Sequence, residues 1–313
     1  VGIVHWDDVD TYRRAAGEMD ATWQRLGAAA GTETVGVTRV RVAPGMLSTP
    51  PHSHTASEEI FFVLGGSGLA WQDGVGHEVR AGHCVVHRAN EMEHTFRAGP
   101  DGLEYLVYGT NHPTELGWLP RSRAVRTGWP WFEGRTDDPW EVEAEAEPLA
   151  FGEPDGPTAN IVHGDEVPLE SGETGSARVL AAAAGSKQAG LHWLRLAAGR
   201  RGPPPHCHSE EEEVFIVLDG DATLELWPAP RTWAGEQRED VPVRAGHVIA
   251  RPPASRVGHA FRAGPNGVTM LVYGTRKRND IVYYPRSRKL FWRGVGLIGR
   301  VEPLEYDDGE PDD

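Results

Sequence analysis

The sequence predicts an all-β chain of two tandem β-barrels with few short helices, and three observations carry that prediction. The first is an internal repeat. "IVHWDDV" (3–9) returns as "IVHGDEV" (161–167), "PPHSHTASEEIFFVLGG" (50–66) as "PPHCHSEEEEVFIVLDG" (204–220), and "VRAGHCVV" (79–86) as "VRAGHVIA" (243–250). "HTFRAGPDGLEYLVYGT" (94–110) returns as "HAFRAGPNGVTMLVYGT" (259–275), and "LPRSR" (119–123) as "YPRSR" (284–288). The blocks keep their order, so the chain holds two copies of one domain. The second observation is that short runs of β-type residues alternate with turn residues, in a chain with 38 Gly and 24 Pro; this favours short strands and tight corners over long helices. The third is size, since 313 residues of which 39% are hydrophobic suffice for two domains with a core each.

Taken in order, the chain divides into an N-terminal barrel over 1–132, an acidic linker over 133–160 and a C-terminal barrel with an acidic tail over 161–313. The segment "DTYRRAAGEMDATWQRLGAAAG" (10–31) predicts the main helix, because part of its apolar residues fall at helical spacing. Strands are predicted at "TVGVTRVRVAPG", "EEIFFVLGGSG", "HEVRAGHCVVH" and "EYLVYGT", and in the second copy at "LHWLRLAAG", "EEVFIVLDGDATLELW", "VPVRAGHVIA" and "TMLVYGT". The linker and the tail "EYDDGEPDD" (305–313) have the composition of solvated connecting segments.

Composition also narrows the function. A net charge of −15 argues against a nucleic-acid partner, which needs concentrated positive charge, and no helix-turn-helix pattern stands beside the repeats. No apolar run reaches the roughly 18 residues of a membrane span, and the N-terminus lacks the pattern of a secretory signal; both predict a soluble, cytoplasmic protein. The two cysteines, Cys84 and Cys207, have neither zinc-ribbon nor CxxC spacing and read as small buried hydrophobes.

The chemistry lies at the start of the repeated "EEIFFVLGG" strand. Residues two apart on a strand share a face, so His52 and His54 stand side by side, as do His206 and His208. Carboxylates follow at Glu58 and Glu59, and again at Glu212 and Glu213, and a later histidine completes each set, His94 or His259. Imidazoles with a carboxylate suit a divalent Fe, Mn, Ni, Co, Cu or Zn ion.

In these residues both halves resemble cupins, whose first motif reads G-x5-HxH-x3,4-E-x6-G and whose second ends in the last histidine. Gly45 and Gly199 precede the HxH pairs by seven residues, one more than the usual pattern, and "RAG" stands where PxG is usual. The resemblance spans nearly the whole chain and implies a bicupin of two jelly-roll barrels (double-stranded β-helices), with one or two metal ions per chain. Counting back from Gly66 and Gly220 selects Glu59 and Glu213 as ligands, with Glu58 and Glu212 fitting the shorter variant. The implied ligand sets are His52, His54, Glu59 and His94 in one barrel, and His206, His208, Glu213 and His259 in the other.

Several further residues are candidates for the pocket. Phe61, Phe96, Phe215 and Phe261 lie two positions beyond ligands, hence on the same face, as core or as the wall of a substrate site. Arg41 and Arg195 occupy equivalent strand positions and either hold a substrate carboxylate or point outward. His83, His247, His5 and His163 recur in both copies and read as structural, as does the repeated "PRSR"; His77, His87, His112 and His192 have no counterpart and read as solvated or core. Four protein ligands leave one or two positions open on a six-coordinate ion. The leading expectation is an Fe(II)-type dioxygenase acting on a small organic molecule. The alternatives are a manganese decarboxylase or oxidase, a sugar isomerase, and a non-catalytic binding or storage bicupin. Self-association as a homodimer is a further expectation from the resemblance.

Overall fold

A computed structural model describes residues 2–126, 138–153, 155–156, 158–229 and 238–309. Residues 133–137, 154 and 157 of the expected linker and 310–313 of the tail lie outside them. Two eight-stranded antiparallel sheets dominate. The first takes in Glu59–Gln72, with Val75–Arg80, His83–His87 and His94–Thr110 against it, and continues through Val35–Val42, Met19–Gln24 and Thr11–Ala16. The second repeats that order with Glu213–Pro228 flanked by Glu239–Arg244, His247–Arg251 and Val257–Thr275, then Ala189–Leu196, Gly175–Val179 and Glu170–Gly172. A three-stranded and a four-stranded sheet carry the second histidine of each HxH pair, in Ser53–His54 and Cys207–His208. Each barrel encloses its own core, one around Phe61, Phe96 and Tyr105, the other around Phe215, Phe261 and Met270.

The segment expected to be the main helix is different in the structure. Thr11–Ala16 and Met19–Gln24 form a hairpin around Gly17, and only Leu26–Ala30 is helical. Met19, Ala21 and Trp23 are buried while Asp20 and Thr22 are less so. That is the period of two of a strand with one face in a core, and Arg13 pairs with Asp20 across the hairpin at 2.6 Å. Three short α-helices, Leu26–Ala30, Pro139–Ala144 and Leu180–Ala183, occur among the described residues, and none is long and apolar enough to cross a membrane.

The two copies exchange edge strands. Gly2–His5 of the first copy pairs with His247–Arg251 of the second, with His5 opposite His247; Ile161–His163 pairs with His83–His87, with His163 opposite His83. The proposed division at residue 160 is therefore crossed by hydrogen-bonded strands in both directions. His5 fixes one exchange by placing Nε2 3.0 Å from the Ala245 carbonyl oxygen while its Nδ1 accepts from the Asp7 amide. His163 does the same with the Ala81 carbonyl and the Asp165 amide. Gly82 and Gly246, the glycines of "RAG", both have φ of +92°, and a Cβ would come within 2.9 Å of His163 Nε2 or 2.4 Å of His5 Nε2. The motif needs glycine both for the left-handed turn and for the imidazole that docks on it.

Between the barrels lies a third core. Ile60, Leu106 and Tyr108 of one barrel meet Ile216, Leu271 and Tyr273 of the other, and the two tyrosine rings stack at 4.5 Å. Glu58 and Glu212 reach across this contact. Glu58 accepts from Ser186 Oγ and from the amides of Lys187, Gln188 and Ala189; Glu212 accepts from the amides of Glu33 and Thr34 and from Thr34 Oγ1. Glu58→Ala removes the acceptor of the Lys187, Gln188 and Ala189 amides, while Ser186 Oγ keeps the Ala189 carbonyl, at about 1–3 kcal/mol for each amide that water does not reach. We expect it to lower the urea midpoint of the whole chain by a shift worth about 3 kcal/mol while leaving the metal content intact. An unchanged midpoint would show that the clasp adds nothing.

Candidate metal centres

Each centre is assembled where three segments end at one barrel mouth. In the N-terminal barrel Glu59 is the first residue of Glu59–Gln72 and His94 the first of His94–Thr110. His52 is tied to His94 by a pair of backbone hydrogen bonds of 3.2 and 2.9 Å, and His54 ends the short strand Ser53–His54. The C-terminal barrel repeats this, with His206 and His259 bridged at the same two distances and Glu213 opening Glu213–Pro228. Because neighbouring strand residues face opposite ways, Glu59 and Glu213 turn into the mouths while Glu58 and Glu212 turn to the other barrel.

The donor atoms converge. Glu59 Oε2 lies 3.2 Å from His54 Nε2 and 3.0 Å from His94 Nε2, and the four side chains bring their ligand atoms within 4.8 Å of one another. In the second barrel Glu213 Oε2 lies 3.9, 3.3 and 2.9 Å from Nε2 of His206, His208 and His259. His54 Nε2, His208 Nε2, His259 Nε2 and Glu213 Oε2 are nonetheless buried without a hydrogen bond of acceptable geometry. Buried polar atoms are costly to leave unpaired, and lone pairs aimed at one point are what a divalent cation satisfies. The residues present therefore fit a metal ion in both barrels.

The far side of the imidazoles supports this. Nδ1 of His52 lies 2.9 Å from the Pro50 carbonyl and Nδ1 of His206 2.8 Å from the Pro204 carbonyl. His54 Nδ1 meets Glu115 Oε1 at 3.2 Å, and His208 Nδ1 meets Asp280 Oδ2 at 2.7 Å. A proton on each Nδ1 donates to these acceptors and leaves Nε2 as the ligating lone pair. Glu115 also accepts from the amides of Thr55, Ala56 and Ser57, and Asp280 from those of Glu210 and Glu211, so each carboxylate fixes the loop after its HxH pair. Sequence reasoning missed both. The signal was an acid five residues beyond the repeated "YGT", as Glu in one copy and Asp in the other.

Burial would depress the His54 and His208 imidazoles, but the facing carboxylates override it and push both up to about 10. Burial likewise opposes ionisation of Glu59 and Glu213, yet the histidines hold both carboxyls well below their usual range. Burial and neighbouring histidines bring His52 down to about 3. Without metal, His54 and His208 thus each hold their extra proton beside an ionised glutamate.

Other expected residues sort clearly. Phe61, Phe96, Phe215 and Phe261 are buried beneath the centres, Phe61 against Phe96 at 4.9 Å and Phe215 against Phe261 at 4.8 Å. Arg41 and Arg195, candidates for the pocket, lie instead on the exposed face, because Val40, Val42 and Leu196 beside them take the inward positions; Arg41 pairs with Glu104 at 3.1 Å. His87 is core, its ring stacked on His94 at 3.9 Å, and Arg251 takes its place in the second copy. Cys84 and Cys207 are free and buried. His83 and His247 anchor their turns through Nδ1, which accepts from the amides of Arg80 and Arg244.

A cavity of about 560 Å³ opens beside the C-terminal centre. His206, Glu213 and His259 line it, Phe215, Phe261 and Met270 form apolar walls, and Tyr284, Arg276 and Arg293 stand at its rim. Arg293 pairs with Glu211 at 2.6 Å, whereas Arg276 donates to the Ser186 carbonyl and has no ion pair among the described residues. These rim residues were also missed, because the first copy has Asn111 and Leu119 in place of Arg276 and Tyr284.

The family model described as "Cupin domain" matches residues 38–107. A curated relative, dimethylsulfoniopropionate lyase DddW of Ruegeria pomeroyi, is 44% identical over 59 residues, which make up 19% of this chain and 37% of that protein. The matched stretch is thus well under half of the relative. Solved structures of oxalate decarboxylase resemble nearly the whole chain. The Lactobacillus farciminis enzyme in a formate complex has a TM-score of 0.59 at 13% identity, covering 88% of this chain and 86% of that one. A Bacillus subtilis variant has a TM-score of 0.60 at 15% identity, covering 90% and 78%. Another Bacillus subtilis structure, from work on its Mn(II) centres, has a TM-score of 0.58 at 14% identity, covering 90% and 78%. At such identities the likeness is one of fold.

Two outcomes are expected. Glu59→Ala and Glu213→Ala each lower metal content by about one ion per chain, read by elemental analysis, while Glu58→Ala and Glu212→Ala retain it; the reverse pattern would reassign the ligands. Metal binding at pH 7 displaces the proton held by His54 or His208, so affinity rises with pH until about 10. Calorimetry in buffers of different ionisation enthalpy should find about one proton released per ion bound, and a result of none would contradict this.

Proposed function

The chain is a two-barrel member of the cupin superfamily, and from that premise we propose that it is a metal-dependent lyase acting on a small organic acid. The observation that carries this reading is the C-terminal site, where His206, His208 and Glu213 bring ligand atoms within 4.8 Å of one another, His259 lies 2.9 Å from Glu213, and a cavity with Arg276 and Arg293 in its lining opens beside them. A bound divalent ion, with manganese placed first, would supply Lewis acidity and a site for a substrate oxygen. His206, His208, Glu213 and His259 would hold it there, and His52, His54, Glu59 and His94 would hold its counterpart in the N-terminal barrel.

The protein's own groups account for the rest. Arg276 has no carboxylate partner among the described residues, donates to the Ser186 carbonyl, and orients an anionic substrate. Tyr284 stacks on His206 at 5.9 Å, and burial raises its phenol, so it stays protonated at neutral pH and keeps a donor at the rim. Burial also raises the Glu211 carboxyl, against the pull of Arg293 and the Lys277 amide, which brings it nearer to neutral proton exchange. Phe215, Phe261 and Met270 exclude water from the inner wall.

The relatives favour lyase chemistry: the structural neighbours are decarboxylases, and the local match is to a lyase. The Fe(II)-type dioxygenase reading rests on the aromatic wall of Phe215 and Phe261 and stands second. Turnover of small carboxylic acids by manganese- or iron-loaded protein, followed with and without O2, separates the two. The lyase reading expects product under argon with no O2 uptake. Stoichiometric O2 consumption would put the oxygenase first, and no turnover with any acid would leave a binding protein. Arg276→Ala should raise KM about tenfold with a smaller change in kcat, as for a lost orienting contact.

A further inference from the structure

We infer that the two barrels have divided the work: the C-terminal barrel admits the organic substrate, and the N-terminal barrel keeps a structural metal centre above an interior filled by its own side chains. The inference rests on the metal-dependent reading above and adds to it which centre meets substrate and which residues decide that.

The repeat allows a position-by-position comparison. Trp23 is paired with Val40, and Ala177 with Leu194, and these two partners each precede the equivalent arginines Arg41 and Arg195. The same place in the two barrels is thus filled by an indole in one and by a methyl group in the other. Tyr105 corresponds to Met270, Thr95 to Ala260 and Thr49 to Pro203.

In the N-terminal barrel these larger and more polar residues close the interior. Trp23 is buried and meets Trp140 of the helix Pro139–Ala144 edge to face at 5.7 Å, and Tyr105 packs on Phe61 and Phe96 at 5.6 and 5.0 Å. Ser48, Thr49 and Thr95 bring their hydroxyls within 3.2–3.4 Å of one another, and Thr95 also donates to the Thr49 carbonyl at 2.7 Å. The hollow that touches His54 and Glu59 lies outside this packing. It is lined by the 109–117 loop, including Asn111, His112 and Glu115, and by none of the aromatic residues beneath the centre.

In the C-terminal barrel the smaller residues leave the space open. Ala177, Pro203, Ala260 and Met270 all line the 560 Å³ cavity, which runs from the apolar floor to His206, Glu213 and His259. An aromatic side chain buries about 150–250 Å², so the exchange of Trp23 for Ala177 alone frees room for a ring-sized group. The rim adds Arg276 and Tyr284 where the N-terminal barrel has Asn111 and Leu119. The cavity therefore fits an acid with an apolar body, its carboxylate toward Arg276 and the centre, and its body against Phe215, Phe261 and Met270.

Mn(II) electron paramagnetic resonance of the full-length chain tests this with phenylacetate as the probe. His52→Ala leaves the C-terminal centre as the site to be read, and His206→Ala leaves the N-terminal one. Phenylacetate is expected to change the Mn(II) spectrum of the His52→Ala protein and not that of the His206→Ala protein. Ala177→Trp, introduced beside His52→Ala, should raise the apparent Kd for phenylacetate at least about tenfold with manganese content retained. Should that variant lose its fold or metal, Ala177→Leu is the substitute and a smaller increase is expected. An equal response of the two centres, no response of either, or unaltered affinity with a filled Ala177 position and intact metal would overturn the division. A response confined to the C-terminal centre in a protein that turns over no acid would uphold the division and remove the lyase reading instead.

Discussion

A strand sends neighbouring side chains to opposite faces, and each barrel uses both faces at one pair of adjacent glutamates. Glu59 and Glu213 turn inward to the histidines of their own barrel, while Glu58 and Glu212 turn outward and accept backbone amides of the other barrel. A one-residue slip of either strand would put the wrong carboxylate in both places at once. The register that builds a metal centre is thus the register that joins the barrels, and everything else about the sites follows from it. The buried carboxylates at the joint are satisfied by several donors each, which offsets the cost of taking them out of water.

The exchanged strands extend the same coupling to the edges. An open sheet edge is a liability unless something covers it, and here each copy supplies the strand that covers the edge of the other. His5 and His163 lock those strands by docking on the turn glycines Gly246 and Gly82, so the sheet of one barrel ends in residues of the other. The hydrophobic layer around Tyr108 and Tyr273 then makes the pair one body with three cores. Chain segments that divide neatly in sequence do not divide neatly in space.

What was legible in the sequence was whatever both copies share. The barrels and their main strands could be read there, and so could the residues that the structure brings together, His52, His54, Glu59 and His94 in one barrel and His206, His208 and Glu213 in the other with His259 2.9 Å from Glu213, because a set written twice in one order admits few other meanings. Local pattern alone did less well. The 10–31 segment has apolar residues compatible with a helix, and only the burial of Met19, Ala21 and Trp23 on one sheet face reveals the strand. Arg41 and Arg195 recur, but recurrence does not say which face of a strand a residue takes. Glu115 and Asp280 were hidden by distance in sequence, since they lie 61 and 72 residues from the histidines they orient.

The differences between the copies carry the remaining information, and their placement is selective. Residues that anchor imidazoles are kept in kind: Pro50 and Pro204 through their carbonyls, Glu115 and Asp280 through their carboxylates. Residues one layer deeper are not kept: Trp23, Thr95 and Tyr105 stand against Ala177, Ala260 and Met270. A barrel that had lost its metal would be free to lose the anchors, which are buried polar groups costly to keep without a purpose. A barrel that had lost only its substrate would be free to fill its interior, because packing an empty apolar space with side chains adds stability. The N-terminal barrel has retained the first set and filled the second, the pattern expected when the metal matters to the protein and the cavity does not.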